Sequence, residues 1–307
     1  MYAVRGLKAT SCLILAVLSG CQVWVDVETP QCDSDKACVS LLGKGYTCSS
    51  AKICVAPKQE ERDAGSMDAG PPLPQRWQCI REEKKEFIPD ANKKVMLRMD
   101  VVDVAMPTVV PKDLTASACT QGDVECLRPV ADHVAPGNDG FLEIPLPHGF
   151  EGFVKIEAPG FIPGLSYDNR PYLDSVTTSG PALIQPAVLE VISSNSGLGG
   201  DPNLALAFLE VRDCNDAAGD GVSFEPLGDN MPFYFQGQLP SRDLTATMVT
   251  PQLGAGREPR AIGGFSSLKQ GYTSFKAVLP ETGELVTQVT VQTKPGYITY
   301  VRMRAGY

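Results

Sequence analysis

The sequence predicts an all-β protein: two tandem antiparallel β-sandwich domains behind a small disulfide-rich N-terminal module and a flexible linker. Three observations predict it. Val95, Leu97, Met99 and Val101 alternate with Lys94, Met96, Arg98 and Asp100, the period of a half-buried strand. Short apolar runs recur from there onward, each bounded by Gly, Pro or Asp. One glycine-aromatic pattern also occurs twice. Gly140-Phe141 precedes Gly149-Phe150 and Phe153, and Gly264-Phe265 precedes Gly271-Tyr272 and Phe275, offset by 124 residues at the first glycine and 122 at the second.

The chain opens with Arg5 and Lys8, an apolar run from Cys12 to Leu18, then Ser19 and Gly20, the shape of a secretory signal over residues 1–20. Cys21 follows directly. Leu18-Ser19-Gly20-Cys21 resembles the lipobox of bacterial lipoproteins. That resemblance implies cleavage before Cys21, a diacylglycerol on its sulfur and acylation of the new amino terminus. One acyl chain holds a protein marginally, at about 0.8 kcal/mol per buried CH₂, whereas three hold it firmly. Gln22 stands where an Asp in this class suggests inner-membrane retention, so the expectation is an exported protein, lipid-anchored at the outer membrane or cell surface. No later apolar run approaches the ~18 residues of a spanning helix. Losing Arg5 and Lys8 with the signal takes the net charge from −9 to −11. So acidic a surface repels nucleic acid and anionic head groups, and no nucleic-acid partner is expected.

With Cys12 in the signal and Cys21 lipidated, eight of the ten cysteines remain, which reads as four disulfides in an exported protein. Cys32, Cys38, Cys48 and Cys54 lie in residues 21–56 at spacing C-x5-C-x9-C-x5-C. So short a segment cannot bury a core and needs staples. Zinc ligand pairs sit two to four residues apart, and no His is near, so no metal is expected. The pattern resembles small modules behind the anchor in lipoproteins of predatory and gliding delta-proteobacteria. Residues 57–78, with Asp63-Ala64-Gly65, Asp68-Ala69-Gly70 and Pro71-Pro72, carry no apolar period and read as a solvated linker. It separates the first four cysteines from the rest, so they should pair among themselves. Cys119 and Cys126 bracket a polar loop containing Gly122, and closing so short a loop costs little chain entropy. They are expected to form a local disulfide. By elimination Cys79 pairs with Cys214, joining the start of the first sandwich to the first strand of the second.

The first sandwich is expected over residues 79–175. The strand from Lys94 is followed by a stretch that Met106-Pro107 and Pro111 interrupt. The turn Gly137-Asn138-Asp139-Gly140 then leads to strands at Phe141–Ile144 and Phe153–Ile156. Residues 176–203 read as a connector, in which Leu183, Ile184, Val188, Leu189 and Ile192 suit one short helix. The second sandwich, residues 204–307, has strands at Leu204–Arg212, Phe233–Phe235, Ser274–Leu279, Leu285–Gln292 and Tyr297–Arg304. In each copy the first Gly closes a turn before a core-facing Phe. The second Gly-aromatic pair reverses the chain so that Phe153 and Phe275 return to the core. If the repeat is structural, residues 204–307 should fold alone as a β protein with a cooperative melt.

The Gly-aromatic pattern, with Ala158-Pro159-Gly160-Phe161-Ile162-Pro163 after the first copy, is similar to the carboxypeptidase regulatory-like, or transthyretin-like, sandwich. So is Val211-Arg212-Asp213-Cys214 leading to Gly221-Val222-Ser223-Phe224. The resemblance covers about residues 93–175 and 204–307 and implies a fold without an active site of its own. The zinc peptidase domain that such sandwiches accompany is absent from the sequence.

Catalytic chemistry finds no motif. The two histidines are His133 and His148, the latter in a Pro-His-Gly turn, and no HExxH, GxSxG, Walker or GxGxxG string occurs. Asp213, Asn215, Asp216 and Asp220 do not match the oxygen spacing of a calcium loop, so no cofactor is expected. The aromatics offer a weaker signal. Phe233 and Phe235 share one strand face and Tyr234 takes the other, which predicts two core rings and one surface ring. With Tyr272 and Tyr297, an exposed Tyr234 could stack on a sugar. The expected function is therefore non-enzymatic: adhesion, scaffolding or presentation of a protein or glycan ligand at the surface. Carbohydrate binding through Tyr234, Tyr272 and Tyr297 is the alternative.

Overall fold

The computed structural model describes residues 34, 36, 47–48, 54–55, 72–83, 87–196, 204–236, 239–241, 249–250 and 259–307. The chain divides into two compact units, Met1–Gly70 and Pro71–Tyr307. In the first, β1 (Thr47–Cys48) and β2 (Cys54–Val55) pair antiparallel with Cys48 opposite Cys54, and Cys48 is disulfide-bonded. The expected signal, Cys21, Cys32, Cys38 and all but the end of the linker lie outside the described residues.

The second unit opens with a 3-10 helix, Gln75–Arg81, followed by β3 (Lys94–Asp103), β4 (Thr115–Thr120), β5 (Ala131–Val134), β6 (Phe141–Pro147), β7 (Gly152–Glu157), β8 (Gly164–Asp168) and β9 (Val176–Leu183). Helix α1 (Pro186–Ser196) leads to β10 (Ala205–Arg212), β11 (Ser223–Phe224), β12 (Phe233–Gln236), β13 (Leu239–Ser241) and β14 (Val249–Thr250). β15 (Arg260–Leu268), β16 (Gly271–Val278), β17 (Leu285–Thr293) and β18 (Ile298–Arg304) complete it. The pairing order repeats. In the first copy β3 lies between antiparallel β6 and parallel β9, while β7 joins β4 to β8. In the second, β10 lies between antiparallel β15 and parallel β18, while β16 joins β11 to β17. Gly149 and Gly271, at the matching turns, both have positive φ, +77° and +135°, which side chains disfavour.

The copies are not separate bodies. β18 of the second copy pairs in parallel with β8 of the first, from Ile298 opposite Gly164 to Arg302 opposite Asp168. One ten-stranded sheet therefore runs β13-β12-β15-β10-β18-β8-β7-β4-β5, with β14 beside β15. This corrects the expectation of purely antiparallel sandwiches. A second correction concerns the connector: its first eight residues are β9. Val176-Thr177-Thr178-Ser179-Gly180-Pro181 looks like a turn because it is polar, but as an edge strand it pairs on one side only, where Pro is tolerated. The helix expected after it is α1.

Both faces of the long sheet are covered. On one face of its first half, Ala116, Ala118, Val154 and Ile156 meet Leu97, Met99, Leu142 and Ile144 of the β6-β3-β9 layer. On the other, Cys119, Phe153, Leu165 and Tyr167 join Phe265, Phe275, Val301 and Met303 in the core of the second copy. Phe153 and Phe275 thus reach one core from two copies. Phe141 corrects the repeat in the same way: Leu142 is the buried residue, and Phe141 lies outside beneath the Arg98 guanidinium, 3.8 Å from its ring centre. A shift of one residue along a strand exchanges faces. Because the second copy's core includes first-copy side chains, a fragment of residues 204–307 is expected to lack a cooperative thermal melt, while 72–307 melts in one transition. A sharp melt from the short fragment would refute the shared core.

Candidate functional site

The densest polar cluster lies on the outer face of β10 and β18, where the first copy crosses the second. All eight residues of β10 are buried, because layers cover both its faces. Its Glu210 and Arg212 are therefore enclosed with β15 Arg260 and β18 Arg302 and Arg304. Glu210 Oε1 accepts from Arg212 Nε at 2.8 Å, and its Oε2 lies 3.3 Å from Arg302 Nη2. Arg260 Nε is 3.9 Å from Oε1. Burial by itself would raise the Glu210 carboxyl pKa. Arg302, Arg260 and Arg212 together outweigh it and hold the group far below its ordinary 4.5.

The arginines reach across the seam. Arg302 donates to Ser179 O at 2.7 Å and to Thr178 Oγ1, and Arg260 donates to Gly180 O at 3.0 Å. Tyr300 Oη donates to Ala182 O at 2.7 Å. These three side chains of the second copy occupy carbonyls of β9, an edge strand. Arg304 holds Asp168 through Nε and Nη2 at about 3.0 Å and pairs with Asp216. Asn169 extends the β8–β18 ladder by a side-chain rung: its Oδ1 accepts from Arg304 N at 2.9 Å and its Nδ2 donates to Arg304 O at 3.1 Å.

A cavity of about 50 Å³ lies here, lined by Tyr172, Thr178, Glu210, Arg260, Tyr300 and Arg302 among others. At ~10–15 Å³ per water it has room for a few waters and none for a sugar ring. Glu210 and Asp168 are both bound by guanidinium groups. The cluster acts as a joint between the copies.

The residues singled out by sequence lie elsewhere. The structure joins Cys79 to Cys214 and Cys119 to Cys126. Asp213 Oδ1 accepts from the Asn215 and Ala217 amides, Arg76 pairs with Asp213 and Asp220, and among the described residues no metal-ligating group of three is found. His148 Nδ1 accepts from Asp90 N at 2.9 Å, and His133 Nδ1 lies 2.7 Å from Asp132. Tyr234 is not a surface ring. It is 5 % exposed, stacks on Phe224 at 5.6 Å, and its Oη accepts from Phe224 N at 2.9 Å, because β12 lies in the long sheet with layers on both sides. Tyr297 is half-buried beneath Lys294 Nζ, 4.9 Å from the ring centre. Tyr272, 59 % exposed, is open to solvent.

Glu210→Gln keeps the volume and removes the charge, leaving three guanidinium groups without their shared carboxylate. It should destabilise the protein by about 3–5 kcal/mol at pH 7. Because the folded-state pKa is depressed, this stability is present above pH 4.5 and lost as pH falls below it. Urea melts at pH 7, 4 and 2.5 should therefore show the gap between wild type and variant narrowing with acid; a constant gap would refute the assignment.

No family model and no curated protein matches the chain. Among solved structures, a Streptococcal ancillary pilin is similar over 69 % of this chain and 69 % of its own, at 8 % identity and a TM-score of 0.18, which does not establish a common arrangement of strands.

Proposed function

We propose that the chain is an exported, lipid-anchored, non-enzymatic protein of the outer membrane or cell surface. Its β body is held out on the linker for adhesion, scaffolding or ligand presentation. The observation that carries the non-enzymatic part is the saturation of the seam: its carboxylates are bound by arginines, and its arginines hold backbone across a joint instead of facing an open cleft. The anchor rests on the lipobox at Leu18–Cys21 and the exported location on the cysteine usage.

A second reading, glycan binding, keeps one supporting residue. Tyr272 stands exposed on β16 with Gln292 opposite it in register and Ser274, bonded to Gln288, next along the same face. A glycan array probed with residues 72–307 and with the Tyr272→Ala form tests it; signal that survives the substitution removes Tyr272 from the reading.

The anchor is tested by growing the source cells with a radioactive fatty acid. The wild-type chain should carry label and sediment with membranes. Cys21→Ser should be unlabelled and released, with the melt of its β body unchanged. Label retained by the variant would overturn the proposal.

A further inference from the structure

Residues 72–83 precede the first copy in the chain but pack on the second. Trp77, 3 % exposed, and Leu73 belong to the second copy's core. The polar contacts of the segment run the same way. Cys214 N donates to Arg76 O at 3.0 Å, Arg76 reaches Ala218 O, Asp213 and Asp220, and Arg81 Nε donates to Glu284 Oε1 at 2.7 Å. The second copy has a place for this segment. In the first copy, the connection from β3 to β4 supplies its own Val110 and Leu114 to the core. The matching connection in the second, residues 213–222, supplies Val222 where the first has Leu114, and its other residues are polar or small. Its Gly219 leaves the floor bare: a Cβ there would come within 3.0 Å of Trp77 Cη2 and 2.8 Å of Val211 Cγ1.

We propose that residues 72–83 form a strap that seats Trp77 in this socket, and that the Cys79–Cys214 disulfide is its reducible catch. Both sulfurs belong to half-buried residues, whereas the Cys119–Cys126 bridge joins one half-buried residue, Cys126, to the fully buried Cys119. Exchange needs access to a sulfur, and the second thiol released must also reach solvent. The catch meets both needs, whereas opening the other bridge leaves Cys119 enclosed, so a dithiol opens the catch first. One thiolate of the dithiol attacks a catch sulfur, forming a mixed disulfide and releasing the other cysteine, which takes a proton. The second thiol of the dithiol then displaces the remaining cysteine. The dithiol ends as a disulfide, and Cys79 and Cys214 end as two thiols. Once the catch is open, the strap is held by Trp77, Leu73 and ion pairs, of which Arg76–Asp220 and Arg81–Glu284 are substantially exposed and hold weakly.

The test uses the full chain under native conditions: titration with dithiothreitol, alkylation, peptide mapping and brief trypsin. Cys79 and Cys214 should be alkylated at concentrations that leave Cys119 and Cys126 joined. Cleavage after Arg76 and Arg81 should then rise ~10-fold or more, the ratio expected when roughly 1.4 kcal/mol of local protection is lost, while Arg98 and Lys155 stay protected. The Cys79→Ser, Cys214→Ser double variant should show the same cleavage without reductant. Trp77→Ala should lower the dithiothreitol concentration that half-opens the catch, because an empty socket no longer holds it closed. A strap that stays uncut with both thiols alkylated overturns the proposal. So does cutting at Arg98 and Lys155 in step with the strap, which would make the bridge a staple of the whole body. An unchanged half-opening concentration in Trp77→Ala would separate socket from catch and overturn it as well.

Discussion

The parallel ladder between β8 and β18 sets the terms for everything around it. Each strand would otherwise be the edge of its own sheet, with unpaired amides and carbonyls facing water. Pairing them makes one sheet from two copies and brings the layers of both copies onto it. β10 is thereby closed in on both faces, and the charges it carries outward must be neutralised where they stand. Glu210 and its arginines are the result. A sandwich standing alone would leave that face in water, and the same residues would need no partners.

The joint also uses up the edges it creates. β9 and β17 are the strands left over when β18 docks on β8. β9 has Ser179, Gly180 and Ala182 carbonyls occupied by Arg302, Arg260 and Tyr300. On β17, the Thr290 carbonyl accepts from Gln121 and the Gln292 carbonyl from Tyr167. Each copy covers the other's spare edge with side chains. A third unit could not be added by the same geometry without displacing them, so the two-copy body is closed rather than the start of a series.

Strands whose burial is local were legible in the sequence. β3 alternates cleanly, and β6, β7, β16, β17 and β18 carry apolar residues between turn signals. β4 (Thr-Ala-Ser-Ala-Cys-Thr) and β15, with Gly263 and Gly264 at its centre, were not, because they are chosen for close approach. A Cβ on Gly264 would meet the Ala207 carbonyl at 2.0 Å. The parallel pairings were illegible for another reason: alternation reports which face is buried and says nothing of the neighbour. The seam cluster spans Asp168 to Arg304 with no motif. Its one trace is charge inside runs apolar on both parities, Glu210 and Arg212 within Leu-Ala-Phe-Leu-Glu-Val-Arg, and Arg302 and Arg304 within Tyr-Val-Arg-Met-Arg. Such charges in a doubly buried strand require partners, and those partners come from elsewhere in the fold.

The Cys79–Cys214 bridge also alters how the body would carry tension. It spans 135 residues of chain, and the whole of the first copy lies inside the loop it closes. A pull between the start of this unit and Tyr307 passes through the two sulfurs and along the second copy, and reaches the first copy sideways, through the ladder between β18 and β8, instead of along its chain. Opening the bridge and then unfolding the loop it closes would add about 450 Å of contour at ~3.4 Å per residue. A chain wired in this way holds its length under load for as long as the two sulfurs stay joined.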